Sequence, residues 1–282
     1  MISILFGLSS ALTWGAADFC GGLASRKAKA YQAVLFGEAF GLAILIIAAL
    51  FFGEPPLSWS AWLMCTIAGA MGVLGLLLFF QSLTKGQMTI AAPVSALTAT
   101  ILPVIVGSVL EKFPGGWTFA GFALALVAIW FISQPDGGPK SLRVRLADLA
   151  LPLIAGAAFG VYLVLIEQGS QDHLLWPMIA SRTAGTLTMF LYTLIGRKQF
   201  RPQGNVWPFI LLNGLLDIAG NGLYILAGQT GRMDVAAVLA SLYPGSTVIL
   251  AWLLLRERIN RLQFFGILTA LAAIVLMTVK RG

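Results

Sequence analysis

Asn213, Asp217, Asn221 and Tyr224 stand four, four and three residues apart inside one apolar run, Trp207 to Gln229. At about 100° per helical residue they fall within roughly an 80° arc of a single helix face. Gly220 and Gly228 share that arc, so the face is both polar and open to close approach. Amides and a phenol can hold a polar organic solute by hydrogen bonds, and a carboxylate can take an ammonium or a proton. Turned toward lipid such a face would be costly, so it is expected to face a protein-lined cavity. Asp217 lies near mid-span, where a carboxylate costs about 2.5–3.5 kcal/mol. Two readings stay open for it: a substrate or proton site, or an ion pair with Arg182. Arg182 sits at nearly the same depth in the preceding apolar run, which is antiparallel to this one.

The elements that must position these residues follow from composition. Charged residues are 10% of the 282-residue chain, hydrophobic residues are 59%, and mean hydropathy is +0.89. An ordinary soluble domain has roughly 25% charged residues, so this is a polytopic membrane protein rather than an anchored soluble one. The net charge of +7 comes from short Lys/Arg clusters at the ends of apolar runs. That pattern fits membrane orientation and argues against nucleic-acid binding. Cys20 and Cys65 lie in apolar runs and read as small buried hydrophobes, and His173 is the single histidine. No metal site and no cofactor are expected. The first apolar run has no basic residues before it, so it reads as an uncleaved span rather than a signal peptide.

Crossing roughly 30 Å of hydrocarbon takes about 20 apolar residues. On that rule the fold class is all-α polytopic membrane protein, with ten transmembrane helices at 2–23, 31–52, 59–82, 88–110, 116–134, 148–168, 174–195, 206–229, 234–255 and 262–280. The polar, Pro/Gly-rich break from Gln134 to Lys140 divides the chain. The expected domains are a first five-helix repeat (1–135), a linker (136–147) and a second repeat (148–282). A constant shift of 145 positions aligns Leu8 with Leu153, Gly15 with Gly160, Trp62 with Trp207, Gly69 with Gly214, Gly75 with Gly220, Met88 with Met233 and Gly121 with Gly266. Five spans is an odd number, so the second repeat enters the membrane from the opposite side. This inverted-topology repeat is typical of alternating-access carriers. Thirteen of the 18 Lys and Arg residues lie on the connections after spans 1, 3, 5, 7 and 9, which predicts that both termini are outside an inner (plasma) membrane.

The residues now in view resemble the drug/metabolite transporter superfamily, in particular its ten-helix EamA-type exporters. The first span has the pair Trp14-Gly15. The ninth has Ala240-Ser241-Leu242-Tyr243-Pro244, with Glu257 thirteen residues after the proline and Gly266 nine further on. The first half departs from that pattern: Thr98 stands where the proline would be, although Glu111 remains and Pro103 lies nearby. The resemblance implies secondary export of small metabolites, often amino acids, or of drug-like compounds. It also implies a central cavity lined mainly by spans 1, 3, 4, 6, 8 and 9.

Further candidates come from the residues themselves. Ser10, Trp14 and Asp18 form a second stripe on span 1. Trp14 is a mid-span aromatic, whereas solvation at the interface explains Asp18 as well as a cavity role does. Under the 145 shift Trp14 corresponds to Phe159 and Tyr224 to Phe79, paired aromatics that could wall a pocket or simply pack. Ala91, Ser95 and Thr98 share one face of span 4 and Ala236, Ala240 and Tyr243 one face of span 9, where tight helix packing is the plain reading; Pro244 frees a backbone carbonyl, which makes it the candidate hinge. The expected substrate-binding set is therefore Trp14, Phe79, Ser95, Thr98, Phe159, Asn213, Asp217, Asn221, Tyr224 and Tyr243. Asn213, Asn221 and Tyr224 could equally bond between helices. Glu38 has no obvious partner, Glu111 and Glu257 read as anchors beside basic residues, and Glu167 reaches toward the interface.

These observations predict a secondary transporter, not an enzyme, exporting small organic solutes by alternating access. The expected cargo is amino acids or related metabolites, aromatic or apolar ones first, or cationic drugs. Its expected partners are that substrate and the bilayer, with the chain working as a monomer. An organophosphate or nucleotide-sugar antiporter is the alternative, weakened because only Arg182 lies well inside a span. A membrane-embedded lipid transferase or a channel are the readings from other classes. No phosphate-binding glycine loop, nucleophile elbow or Cys/His cluster supports an enzyme.

Overall fold

The computed structural model describes residues 1–84, 88–132, 134, 146–171, 173–202, 204–255 and 260–278. Most of the expected linker, the Lys85-Gly86-Gln87 connection and Glu257 lie outside the described residues. Among the described residues there are eleven helices: α1 (Ile2–Lys27), α2 (Ala30–Phe52), α3 (Trp59–Thr84), α4 (Met88–Leu110), α5 (Gly116–Ile132), α6 (Leu146–Ser170), α7 (Leu175–Ile195), α8 (Trp207–Gln229), α9 (Met233–Ala240), α10 (Tyr243–Leu255) and α11 (Arg261–Thr278). Among the described residues six helical segments are long and apolar enough to cross a membrane, and Val94–Leu110, Gly116–Ile132 and Arg261–Met277 are shorter apolar helices. In lipid every backbone N–H and C=O must be satisfied within its own segment, and for a Leu-, Ala- and Phe-rich run the helix does this. Side chains such as Leu50, Phe51, Phe52, Trp59 and Ile195 stay on the outside, as a lipid-facing surface requires.

The ten expected spans are present as helices, with one correction. Span 9, expected as one helix over 234–255, is broken into α9 and α10 at Ser241-Leu242. Pro244 has no N–H, so the carbonyl of Ala240 loses its usual donor four residues on. The chain bridges the gap with shorter bonds, Leu242 N to Leu239 O at 3.1 Å and Gly245 N to Leu242 O at 2.9 Å. A broken helix is tolerated at membrane depth only where protein or a cavity surrounds it. Here Ser241, Leu242, Tyr243 and Pro244 are all buried. The counterpart segment around Thr98 has no break, and α4 is continuous even through Pro103.

The helices pair across the halves more than within them. Helix α1 lies along α8 as α6 lies along α3, α2 touches α8 as α7 touches α3, and α4 meets α6 as α9 and α10 meet α1. Helices α2 and α7, α5 and α11, and α4 and α9 pair with their own counterparts. Exchanging the halves leaves this pattern unchanged, as expected for two related repeats that interlock. The apolar drive for packing is weak in lipid, so small residues let the backbones approach closely. A Cβ at Gly214 would stand 2.5 Å from the carbonyl oxygen of Gly37 and 3.2 Å from its carbon. Gly220 seats the indole of Trp14, and Gly75 seats the ring of Phe159 in the equivalent place.

Hydrogen bonds tie the ends of α2 and α7 to loops of the other half. Both carboxylate oxygens of Glu54 accept from the first amides of α7, Leu174 N at 2.7 Å, Leu175 N at 2.8 Å and Trp176 N at 3.0 Å. At the opposite end Gln32 Nε2 donates to the carbonyls of Gln199 at 2.9 Å and Arg201 at 3.0 Å.

Because Gly214 meets backbone rather than a side chain that could rotate away, Gly214→Val should cost about 1–3 kcal/mol. The expected outcome is loss of monodisperse protein in detergent and a lower unfolding temperature. Gly116→Ala, with no atom within 4 Å of the added carbon, should leave both unchanged.

Candidate central cavity

Where α1, α3, α6 and α8 converge midway along their lengths, a cavity remains with about 700 Å³ of empty space, its open mouth included. One wall is apolar: Gly72, Val73 and Leu76 on α3, Ala99 on α4, and Phe159 and Leu163 on α6. The other is polar: Trp14 and Asp18 on α1, Glu38 on α2, Ser181 and Arg182 on α7, and Asp217 and Asn221 on α8. Tyr162, Ser241 and Tyr243 complete the lining, and the break between α9 and α10 faces it through Ser241.

The polar wall is a chain of hydrogen bonds. Arg182 Nη1 donates to Glu38 Oε1 at 2.6 Å, and Nη2 donates to Asp217 Oδ2. Asn221 Nδ2 donates to the same Asp217 oxygen at 3.1 Å, and Trp14 Nε1 donates to Asn221 Oδ1 at 3.1 Å. The carboxylate can only accept and the indole can only donate, which fixes the amide between them. Trp14 then stacks on Tyr224, with ring centroids 5.8 Å apart, and Tyr224 donates to the carbonyl of Leu163 at 3.1 Å. The chain therefore runs from α2 through α7, α8 and α1 to α6.

Of the sequence-predicted residues, Trp14, Phe159, Asp217, Asn221 and Tyr243 line the cavity. The others lie behind that lining. Asn213 is buried and donates to the carbonyl of Ala17 at 2.8 Å, wedged beside Gly21 and Gly37. Tyr224 is fully buried behind Trp14. Phe79 meets Phe159 edge-on at 6.2 Å, the counterpart of the Trp14–Tyr224 contact. Ser95 Oγ lies 3.3 Å from Tyr243 Oη. Thr98 Oγ1 donates to the Val94 carbonyl at 2.7 Å, and its Cβ sits against Gly156. Pro244 lies at the helix break, beside Tyr243.

Sequence reasoning missed α2 and α7 as cavity elements. Glu38, without an obvious partner in the sequence, is held by Arg182, and Asp217 shares the same guanidinium. A signal was available: the 145 shift carries position 38 to 183, next to Arg182. Counterpart helices that pack against each other bring equivalent positions close, and α2 and α7 do so here. Asp18 likewise lines the cavity rather than the interface.

Away from the cavity, Arg232 ties the end of α4 to the start of α9. It donates to Asp234 at 2.7 and 3.0 Å and to the carbonyls of Glu111 at 2.9 Å and Lys112 at 2.8 Å. Glu111 Oε1 accepts from Met233 N at 3.1 Å, and burial pushes the Glu111 carboxyl above the usual carboxylate range.

The family model for EamA-like transporters matches residues 1–134 and again 146–279. The chain belongs to the EamA-like transporter family. Its two family matches coincide with the two interlocked sets of helices. A solved crystal structure, described only as that of a protein, is similar to this transporter with a TM-score of 0.76. It is 17% identical, and the match covers 98% of this chain and 96% of the other, a likeness that speaks to the fold. No curated protein matches this EamA-like transporter.

Arg182→Gln would leave Glu38 and Asp217 facing each other without their shared cation, and losing one partner of a buried pair costs about 3–5 kcal/mol. Thermal unfolding of the purified transporter should show that loss for the single variant. The triple variant Glu38→Gln, Arg182→Gln, Asp217→Asn should recover most of it. Equal destabilisation of both would show that the three charges do not act as a unit.

Proposed function

We propose that this transporter exports small organic solutes with an apolar or aromatic body by alternating access through the central cavity. Amino acids or related metabolites and organic cations are the candidate cargo. The observation that carries the reading is the cavity itself. It lies midway along the helices between interlocked repeats, with one apolar wall and one wall built from the Glu38–Arg182–Asp217–Asn221–Trp14 chain. A solute can lay its body against Leu76 and Phe159 and direct its polar groups to the opposite side. The repeat arrangement supplies the second state: in inverted repeats, rocking one set of helices against the other moves access from one face to the other around a fixed site. The broken α9–α10 element supports this reading, with Pro244 as its hinge.

An organophosphate or nucleotide-sugar substrate fits less well. It would need an available cation, and Arg182, the guanidinium in the lining, already serves two carboxylates. We propose that the chain works as a monomer in an inner (plasma) membrane; the Lys/Arg distribution supports both termini being outside.

In proteoliposomes loaded with an unlabelled solute, the same labelled solute added outside should accumulate transiently and saturably. A panel of amino acids and organic cations would reveal which solutes do so. Trp14→Ala removes a cavity wall and the donor to Asn221, and should lower counterflow of the best substrate about tenfold or more. Non-saturable flux without counterflow would overturn the carrier reading in favour of a channel.

A further inference from the structure

The charges in the cavity do not balance, and Asp18 is the odd one. It lies one helical turn from Trp14, and among the described residues no hydrogen bond or ion pair holds its carboxylate. Every other ionised side chain of the lining is engaged. Arg182 spends its two terminal nitrogens on Glu38 and Asp217, and Asp217 also accepts from Asn221. Three carboxylates therefore share a space with one guanidinium, and Asp217 repels Asp18 across it. Buried in this way, an excess of negative charge has to be neutralised by a proton or by a cationic ligand, and the residues present do not supply a second cation.

We propose that Asp18 is the subsite for the ammonium group of a small organic cation, so that the cavity selects amines over zwitterionic amino acids and over carboxylates. This rests on the transport reading above and decides between its two candidate cargoes. An ammonium placed at Asp18 makes a charge-assisted hydrogen bond and lies beside the rings of Trp14 and Tyr243, which can stabilise a cation through their faces. The body of the solute then extends toward Val73, Leu76 and Phe159. A zwitterion brings a carboxylate into the same space and would have to displace Glu38 or Asp217 from Arg182 to find a partner. The site thus rejects it by leaving a buried charge unpaired.

A matched series on one aromatic frame tests this: 2-phenylethylamine, phenylalanine and 3-phenylpropionate, with 2-phenylethanol as the uncharged member. Binding is measured by titration calorimetry on the full chain in nanodiscs, and counterflow in proteoliposomes. The amine should bind at least about tenfold more tightly than phenylalanine, and 3-phenylpropionate should bind weakest. Asp18→Asn should weaken the amine by about tenfold or more while changing 2-phenylethanol by less than about twofold. Asp18→Glu, which keeps the charge, should restore part of the amine preference. An unchanged affinity for the alcohol shows that the cavity of the variant is intact. Phenylalanine binding as tightly as the amine, or Asp18→Asn leaving the amine unaffected, would overturn the assignment. If phenylalanine shows counterflow and the amine does not, the transport reading stands and the cation subsite falls. If no solute of any charge shows counterflow, the transport reading itself falls.

Discussion

Arg182 holds two carboxylates from two other helices, with its own side chain and that of Glu38 almost wholly buried. Each of the three charges alone would be expensive in the membrane, and the cost is offset only while the guanidinium sits between Glu38 and Asp217. That requirement fixes the relative position of α2, α7 and α8, and it also sets the tilt of the next contacts. Asp217 orients Asn221, Asn221 orients Trp14, and Trp14 stacks on Tyr224 with the rings inclined by 29°. A cavity wall built as one connected chain gives a solute a shaped and charged surface rather than a loose polar lining.

The surrounding packing explains how the wall can be polar on one side and apolar on the other while the backbone stays close to symmetric. Gly75 seats Phe159 where Gly220 seats Trp14, and Phe79 backs Phe159 where Tyr224 backs Trp14. The geometry is duplicated, whereas the chemistry is placed once. Asp217 has Gly72 as its counterpart, and Trp14, which can donate, has Phe159, which cannot. The ninth span adds a second asymmetry. Pro244 breaks it beside the cavity and Thr98 leaves its partner α4 whole, so the two equivalent elements differ in stiffness where they meet the cavity.

The composition of the chain determined that it lives in a bilayer, because a sequence so poor in charge and so rich in long apolar runs has no other solvent. The ten apolar spans followed from the hydrocarbon thickness, though not the break that parts the ninth into two helices, and the repeat followed from glycines and tryptophans that recur at one spacing. The polar stripe on α8 was equally legible, since a four-four-three spacing is a property of the helix alone. Sequence could also say that Asn213 and Tyr224 needed polar partners, but not which ones. Both face neighbouring helices, where they satisfy the carbonyls of Ala17 and Leu163 behind the lining.

Only the tertiary structure decided which charges meet. Glu38 and Arg182 are 144 residues apart, and periodicity along either helix is blind to a partner on another. Their meeting depends on how counterpart helices cross, and thus on the interlocking of the halves rather than on either half. The break in the ninth span was decided the same way. A proline marks where a helix can part, but whether it does depends on whether neighbouring protein can satisfy the loosened backbone. Here buried surroundings at Ser241 and Leu242 allow it. Helix and membrane physics wrote the elements locally, and the contacts between the halves chose the site.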